Sequence, residues 1–147
     1  MRVPTRAAVP CLIAYGATAC TDLTGFGLLG HLVEMTRASG VDAELELAAL
    51  PLLDGAVDTI KAGIFSSLQP ANVRLRRALR NPEGFVDNPR YSLLFDPQTA
   101  GGLLASVPAE SAEACLRALR ALGYDKAARI GRILAQGDAL EPITLID

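Results

Sequence analysis

The feature that most constrains this chain is the stretch Thr18-Ala19-Cys20-Thr21-Asp22-Leu23-Thr24-Gly25-Phe26-Gly27-Leu28-Leu29-Gly30-His31-Leu32. It begins as a strand, turns through a polar corner at Thr21-Asp22 and runs into a glycine-punctuated helix start. Gly25 and Gly27 carry no Cβ, so the backbone there is open to close approach by a ligand. The N-terminus of the following helix presents unpaired N–H groups and a partial positive charge, a natural seat for phosphate. Asp22 sets a carboxylate beside that seat, the hard oxygen that a Mg²⁺ bridging phosphates selects.

Gly25-Phe26-Gly27-Leu28-Leu29-Gly30 also satisfies the G-x-G-x-x-G of dinucleotide-binding folds, with Glu44 and Glu46 at about the distance of the ribose-binding acid. That fingerprint requires an apolar strand leading straight into the first glycine. Here the approach is Thr-Asp-Leu-Thr, which puts a carboxylate where a pyrophosphate would sit, and no regular strand–helix alternation continues downstream. The context argues against a dinucleotide site.

A chain of 147 residues, half of them apolar and with a net charge of −2, suits one soluble domain with its own core. That charge gives no case for nucleic-acid binding. Cys11, Cys20 and Cys115 have no metal-ligand spacing and fit reduced cytoplasmic thiols. Arg2 and Arg6 before the apolar run Ala7 to Tyr15, with Ala17-Thr18-Ala19 after it, mimic a signal peptide. Pro10 and Gly16 interrupt the run, however, and cleavage there would cut into the Asp22 motif. No stretch reaches the ~18 apolar residues of a membrane span.

Apolar spacing predicts a helix from Pro4 to Tyr15 with Val9, Leu12 and Ile13 buried, then a strand from Ala17 to Thr21. A helix follows from about Gly25 to Ser39 on the stripe Phe26, Leu29, Leu32 and Val33, stopped by Gly40. Ala43 to Leu47 alternates as a half-buried strand with Glu44 and Glu46 in water. Short helices are expected at Asp54 to Ala62 and Ala71 to Arg80. The second carries Arg74, Arg76, Arg77 and Arg80, read as a solvated face. Tyr91 to Phe95 is expected as a strand ending at the turn opener Asp96-Pro97, and Leu103 to Val107 as another. Pro108 to Leu122 is the clearest helix, on the stripe Ala112, Cys115, Leu116, Leu119 and Leu122. Ala128 to Leu134 and Pro142 to Ile146 read as two closing strands around a Gly137-Asp138 turn. The expected fold is α+β, a mixed sheet with amphipathic helices packed on it.

Single residues leave alternatives open. Asp22 reads as a turn or helix cap or as a metal ligand, and Thr24 as a cap or a phosphate contact. Gly101-Gly102 is either a connection needing tight packing or, with the Thr99 hydroxyl, a nest of donors facing phosphate. His31, the one histidine, reads as a packed, hydrogen-bonded residue, and Cys20 as a structural thiol with nothing in sequence to lower its pKa.

Thr21-Asp22-Leu23-Thr24-Gly25-Phe26-Gly27-Leu28-Leu29-Gly30-His31-Leu32, followed downstream by Asp96-Pro97-Gln98-Thr99-Ala100-Gly101-Gly102-Leu103-Leu104, resembles the C-terminal domain of the selenophosphate synthetase (selenide, water dikinase) family. The two motifs stand in that family's order and at about its spacing. Leu23 and Ala100 depart from its commoner Val and Ser. The resemblance implies the fold of the aminoimidazole ribonucleotide synthetase superfamily. It makes residues 1–147 one C-terminal domain, with 1–16 a linker helix and the ATP-binding N-terminal domain, which carries the nucleophile, outside this chain. It further implies a cytoplasmic enzyme, homodimeric at full length, that converts ATP, selenide and water to selenophosphate, AMP and phosphate with Mg²⁺. Asp22 would hold metal. Thr24, Gly25, Gly27, Thr99, Gly101 and Gly102 would face the nucleotide's phosphates. The resemblance leaves two other readings, a different ATP-dependent enzyme of the superfamily and a non-catalytic partner-binding domain.

Overall fold

The computed structural model describes residues 5–147. A 3₁₀ turn at Thr5–Ala7 leads into helix α1 (Ala8–Ala14), so the predicted start at Pro4 lies outside the described residues. Strand β1 (Ala19–Asp22), helix α2 (Gly27–Ser39) and strand β2 (Val41–Glu46) follow. Then come α3 (Ala56–Lys61), α4 (Gln69–Asn72), a 3₁₀ run at Val73–Ala78 and α5 (Pro89–Leu93). Strand β3 (Leu103–Ser106), α6 (Ala112–Ala121), β4 (Gly131–Ala135) and β5 (Ile143–Ile146) complete the order.

The fold is α+β, with the strands divided between two small sheets. β1 and β3 form an antiparallel ribbon, and β2 lies between β4, antiparallel, and β5, parallel. The predicted closing strands therefore do not form a hairpin around Gly137-Asp138. Each takes one edge of β2. The outer edge of β5 is covered in turn. Arg80 N–H donates to Ile143 O (2.9 Å), and the Asn81 amide exchanges two hydrogen bonds with the Leu145 backbone, both 2.9 Å.

Leu29, Leu32 and Val33 of α2 pack with Ala43 and Leu45 of β2, Ile143 and Leu145 of β5, and Tyr91, Leu94 and Phe95. Full burial of such side chains contributes about 1.5–3 kcal/mol each. Gly40 closes α2 in the left-handed conformation expected of a helix stop. Phe26, predicted on the apolar stripe, is instead 56% exposed, because it lies in the turn ahead of α2. On α1 only Ala8 and Leu12 are buried, while Val9 and Ile13 face outward. On α6 Cys115 is buried, Ala112, Leu116 and Leu119 of the predicted stripe are half-buried, and Leu122 is exposed.

The segment Tyr91 to Phe95, expected as a strand, forms the end of α5 and, at Leu94 and Phe95, the turn after it. Asn88 Oδ1 accepts the Arg90 N–H at 2.9 Å, and Pro89 occupies the first helical turn, its φ already suited to a helix. Tyr91, Leu94 and Phe95 then fall on one face at helical spacing, and all three are buried. Arg90 fastens this helix to the loop after β2 through Leu47 O (3.2 Å) and Leu50 O (3.0 Å).

Two of the charges expected in water are engaged. Glu44 pairs with Arg132 on the neighbouring strand, whose guanidinium holds the carboxyl below its ordinary value. Arg80 leaves the basic cluster to pair with Asp42, which is 3% exposed, while its Nε donates to Glu141 O at 2.7 Å. The Gly137 N–H, at 2.9 Å, and then Arg80 lower the Asp42 pKa. A carboxyl whose folded pKa is depressed contributes stability above its unfolded value of about 4 and loses it as pH falls through the folded value. Asp42→Asn is therefore expected to flatten the acid limb of the stability profile, measured as urea midpoints from neutral pH downward. A limb as steep as the parent's would show that the clasp contributes nothing to acid sensitivity.

Candidate functional site

In the β1–β3 ribbon, Ala19, Cys20, Thr21 and Asp22 lie opposite Ser106, Ala105, Leu104 and Leu103. Alternation leaves Cys20 and Asp22 exposed, while Leu104, opposite Thr21, is buried. The ladder then continues past both strands. Leu23 N–H donates to Gly102 O (2.9 Å), Gly101 N–H to Leu23 O (3.1 Å) and Gln98 N–H to Thr24 O (3.0 Å). The two sequence motifs are thereby one structural unit. Gly101 is required at the closest point, since a Cβ there would stand 2.5 Å from Leu23 O.

The turn from Thr24 to Gly27 closes with Gly27 N–H on Thr24 O at 3.2 Å. Gly27 has φ +69°, and its Cα faces inward against the Leu94 and Asp96 carbonyls. Leu29 N–H donates to Leu94 O at 3.0 Å. The Gly27 and Leu29 amides at the start of α2 are thus taken by the protein's own carbonyls, Thr24 O and Leu94 O. The Gly101 N–H is likewise committed, to Leu23. Gly25, Thr99 and Gly102 are exposed, and nothing stands within 4 Å of a Cβ built on Gly25 or Gly102. The N–H groups of Gly25 and Phe26 have no acceptor among the described residues.

Thr24 is not a side-chain cap of α2. Its N–H donates to His31 Nε2 at 3.1 Å, and its hydroxyl lies at the same distance from that nitrogen. His31 Nδ1 stands 3.5 Å from Glu34 Oε2. Asn72 approaches from the other side, its Nδ2 donating to Gly25 O (2.8 Å) and Phe95 O (3.0 Å). Sequence reasoning missed Asn72. The only available signal was an amide at a helical position three residues after Gln69, which donates to Ser92 O at 3.0 Å.

The Asp22 carboxylate accepts no hydrogen bond among the described residues, so it caps neither the turn nor the helix. Although Cys20 is exposed, partial desolvation, reinforced by the Asp22 charge, pushes its thiol above the ordinary value, which disfavours the thiolate. Burial also raises the Asp96 carboxyl, against a 2.9 Å hydrogen bond from Gln98. Among the described residues no cluster of three or more His, Cys, Asp or Glu forms a metal cage. An uncommitted carboxylate such as Asp22 suits one position in an octahedral oxygen shell, with phosphate and water taking others.

Comparison with known proteins gives this arrangement a context. Residues 2–140 match the family of AIR synthase related proteins, C-terminal domain. The chain is 35% identical over 124 residues to selenide, water dikinase of Clostridioides difficile (strain 630), covering 84% of this chain and 36% of that protein. It is 42% identical over 110 residues to selenide, water dikinase of Trichlorobacter lovleyi, covering 73% and 31%. In fold it is similar to hydrogenase maturation protein HypE, with a TM-score of 0.60 at 20% identity over 97% of this chain and 38% of that one. The chain spans about a third of the length of the curated relatives it matches.

Gly101→Ala and Asp22→Asn should separate scaffold from site. The first sets a methyl against the Leu23 backbone and is expected to destabilise by about 1–3 kcal/mol. The second alters an exposed, uncommitted group and should stay within about 0.5 kcal/mol of the parent. Thermal unfolding followed by circular dichroism measures both, and equal melting of the two variants would contradict the packing at Leu23.

Proposed function

The chain belongs to the family of AIR synthase related proteins, C-terminal domain, and from that premise we propose that it is the C-terminal domain of a selenide, water dikinase. The reaction is the formation of selenophosphate, AMP and phosphate from ATP, selenide and water. Residues 1–147 form one domain, which works beside an ATP-binding domain in a cytoplasmic, homodimeric enzyme. No described helix is long and apolar enough to cross a membrane. Within the enzyme this domain is one wall of the nucleotide cleft.

The observation that carries the reading is the uncommitted Asp22 carboxylate. It stands one ladder step from the Leu23–Gly102 contact that joins the two glycine-containing loops. Asp22 would hold Mg²⁺, and the ion would supply positive charge against the phosphates. The open amides of Gly25 and Phe26, together with the exposed Thr99 and Gly102, line the phosphate side. Such a wall contributes by positioning and electrostatics. Its part is not nucleophilic: partial desolvation and the Asp22 charge disfavour the Cys20 thiolate, and His31 is committed to Thr24.

In an enzyme joining this domain to its ATP-binding domain, Asp22→Asn is expected to lower turnover at least about a hundredfold, the scale of losing one electrostatic contact to a transition state. Melting without ligand should not change. The 147-residue chain alone is expected to form no AMP from ATP and selenide. Parent-like turnover by the Asn variant, or selenide-dependent AMP formation by the chain alone, would refute the assignment.

A further inference from the structure

We infer that Asn72, which sets the peptide carrying the Phe26 N–H, and His31, which fixes the Thr24 peptide immediately ahead of the Gly25 N–H, are positioning residues that hold these two donors out of the turn toward an anionic oxygen. The inference rests on the phosphate-facing reading above and adds how the turn is held for it.

The argument follows from peptide planarity. In a trans peptide the carbonyl and the next residue's N–H point in opposite directions, and no cis bond occurs among the described residues. Leu23 O is held by Gly101 N–H at 3.1 Å, so the Thr24 N–H points the other way, onto His31 Nε2 at 3.1 Å. Thr24 O is held by Gln98 and Gly27, at 3.0 and 3.2 Å, which turns the Gly25 N–H away from the protein. Gly25 O is held by Asn72 at 2.8 Å, which turns the Phe26 N–H away in the same manner. Two consecutive donors are left facing outward, and neither meets an acceptor among the described residues.

Two side chains, each 7% exposed, are committed to the Gly25 carbonyl and to Thr24. Asn72 is itself locked by its second bond to Phe95 O. His31 must keep a lone pair on Nε2 to accept from Thr24, so its proton sits on Nδ1, toward Glu34. The Phe26 ring, 5.8 Å from the imidazole and tilted by 52°, lies beside it. Buried polar groups held in this way fix one orientation, because the alternative leaves them unpaired.

The test is amide-resolved NMR of the 147-residue chain, titrated with magnesium pyrophosphate. The variants are His31→Leu, His31→Gln, whose amide oxygen replaces the Nε2 acceptor, and Asn72→Asp, which puts an acceptor against Gly25 O. In the parent, the Gly25 and Phe26 amide signals are expected to move. His31→Leu and Asn72→Asp should weaken pyrophosphate binding about fivefold to tenfold, the scale of one hydrogen bond, with His31→Gln regaining most of it. Folded His31→Leu and Asn72→Asp proteins with parent affinity and parent amide shifts would overturn the positioning role. Unmoved Gly25 and Phe26 signals in the parent would overturn the phosphate reading, and the inference with it. The imidazole nitrogen shifts report the clamp independently of any anion, and a protonated Nε2 in the neutral ring would rule it out.

Discussion

Two backbones can approach as closely as those of Leu23 and Gly101 only when one of them lacks a side chain. That contact joins segments nearly eighty positions apart in sequence and carries the β1–β3 ladder past the ends of both strands. Everything distinctive about the site follows from it. Asp22 is placed at the ladder's last paired position, the Thr24–Gly27 turn is pressed against the Gln98–Gly102 loop, and α2 begins where Leu94 can receive its Leu29 amide.

A site made largely of main chain has a particular chemistry. Its donors do not titrate, and substitution of their own side chains does not remove them. Specificity must come from where they point, and that is decided by groups outside the turn. His31 belongs to the helix that follows and Asn72 to a short helix from the middle of the chain. The Asp22 carboxylate on this edge has no compensating cation bonded to it among the described residues. A negative carboxylate beside outward N–H groups is unfavourable for a bare anion and favourable for an anion that arrives with a divalent cation.

What could be read from the sequence was what depends on neighbours along the chain. The α2 body and its Gly40 stop, the alternation in β2 and the body of α6 follow from local periodicity and capping. Tyr91 to Phe95 shows the limit of that approach. Its aromatic and apolar run suits a strand, and the outcome was decided by Asn88-Pro89, which starts a helix. The roles of Asp42, Arg80 and Asn72 were hidden for a different reason, since their partners lie between 23 and 95 positions away. Of the residues proposed for the site, Asp22, Gly25, Thr99 and Gly102 are exposed, whereas the Thr24, Gly27 and Gly101 amides are bonded within the protein.

The central position of β2 has a consequence for how the protein comes into being. Both of its partners lie far downstream, β4 at Gly131–Ala135 and β5 at Ile143–Ile146. A chain made from its N-terminus at about 5–20 residues per second leaves both edges of β2 unpaired for several seconds at least. During that interval α2 can cover the apolar face, but the hydrogen-bonding edges stay open, a condition that invites pairing between nascent chains. Asp42, Glu44 and Glu46 give the lone strand three like charges. They make a second copy a poor neighbour until Arg80 and Arg132 arrive to neutralise two of them.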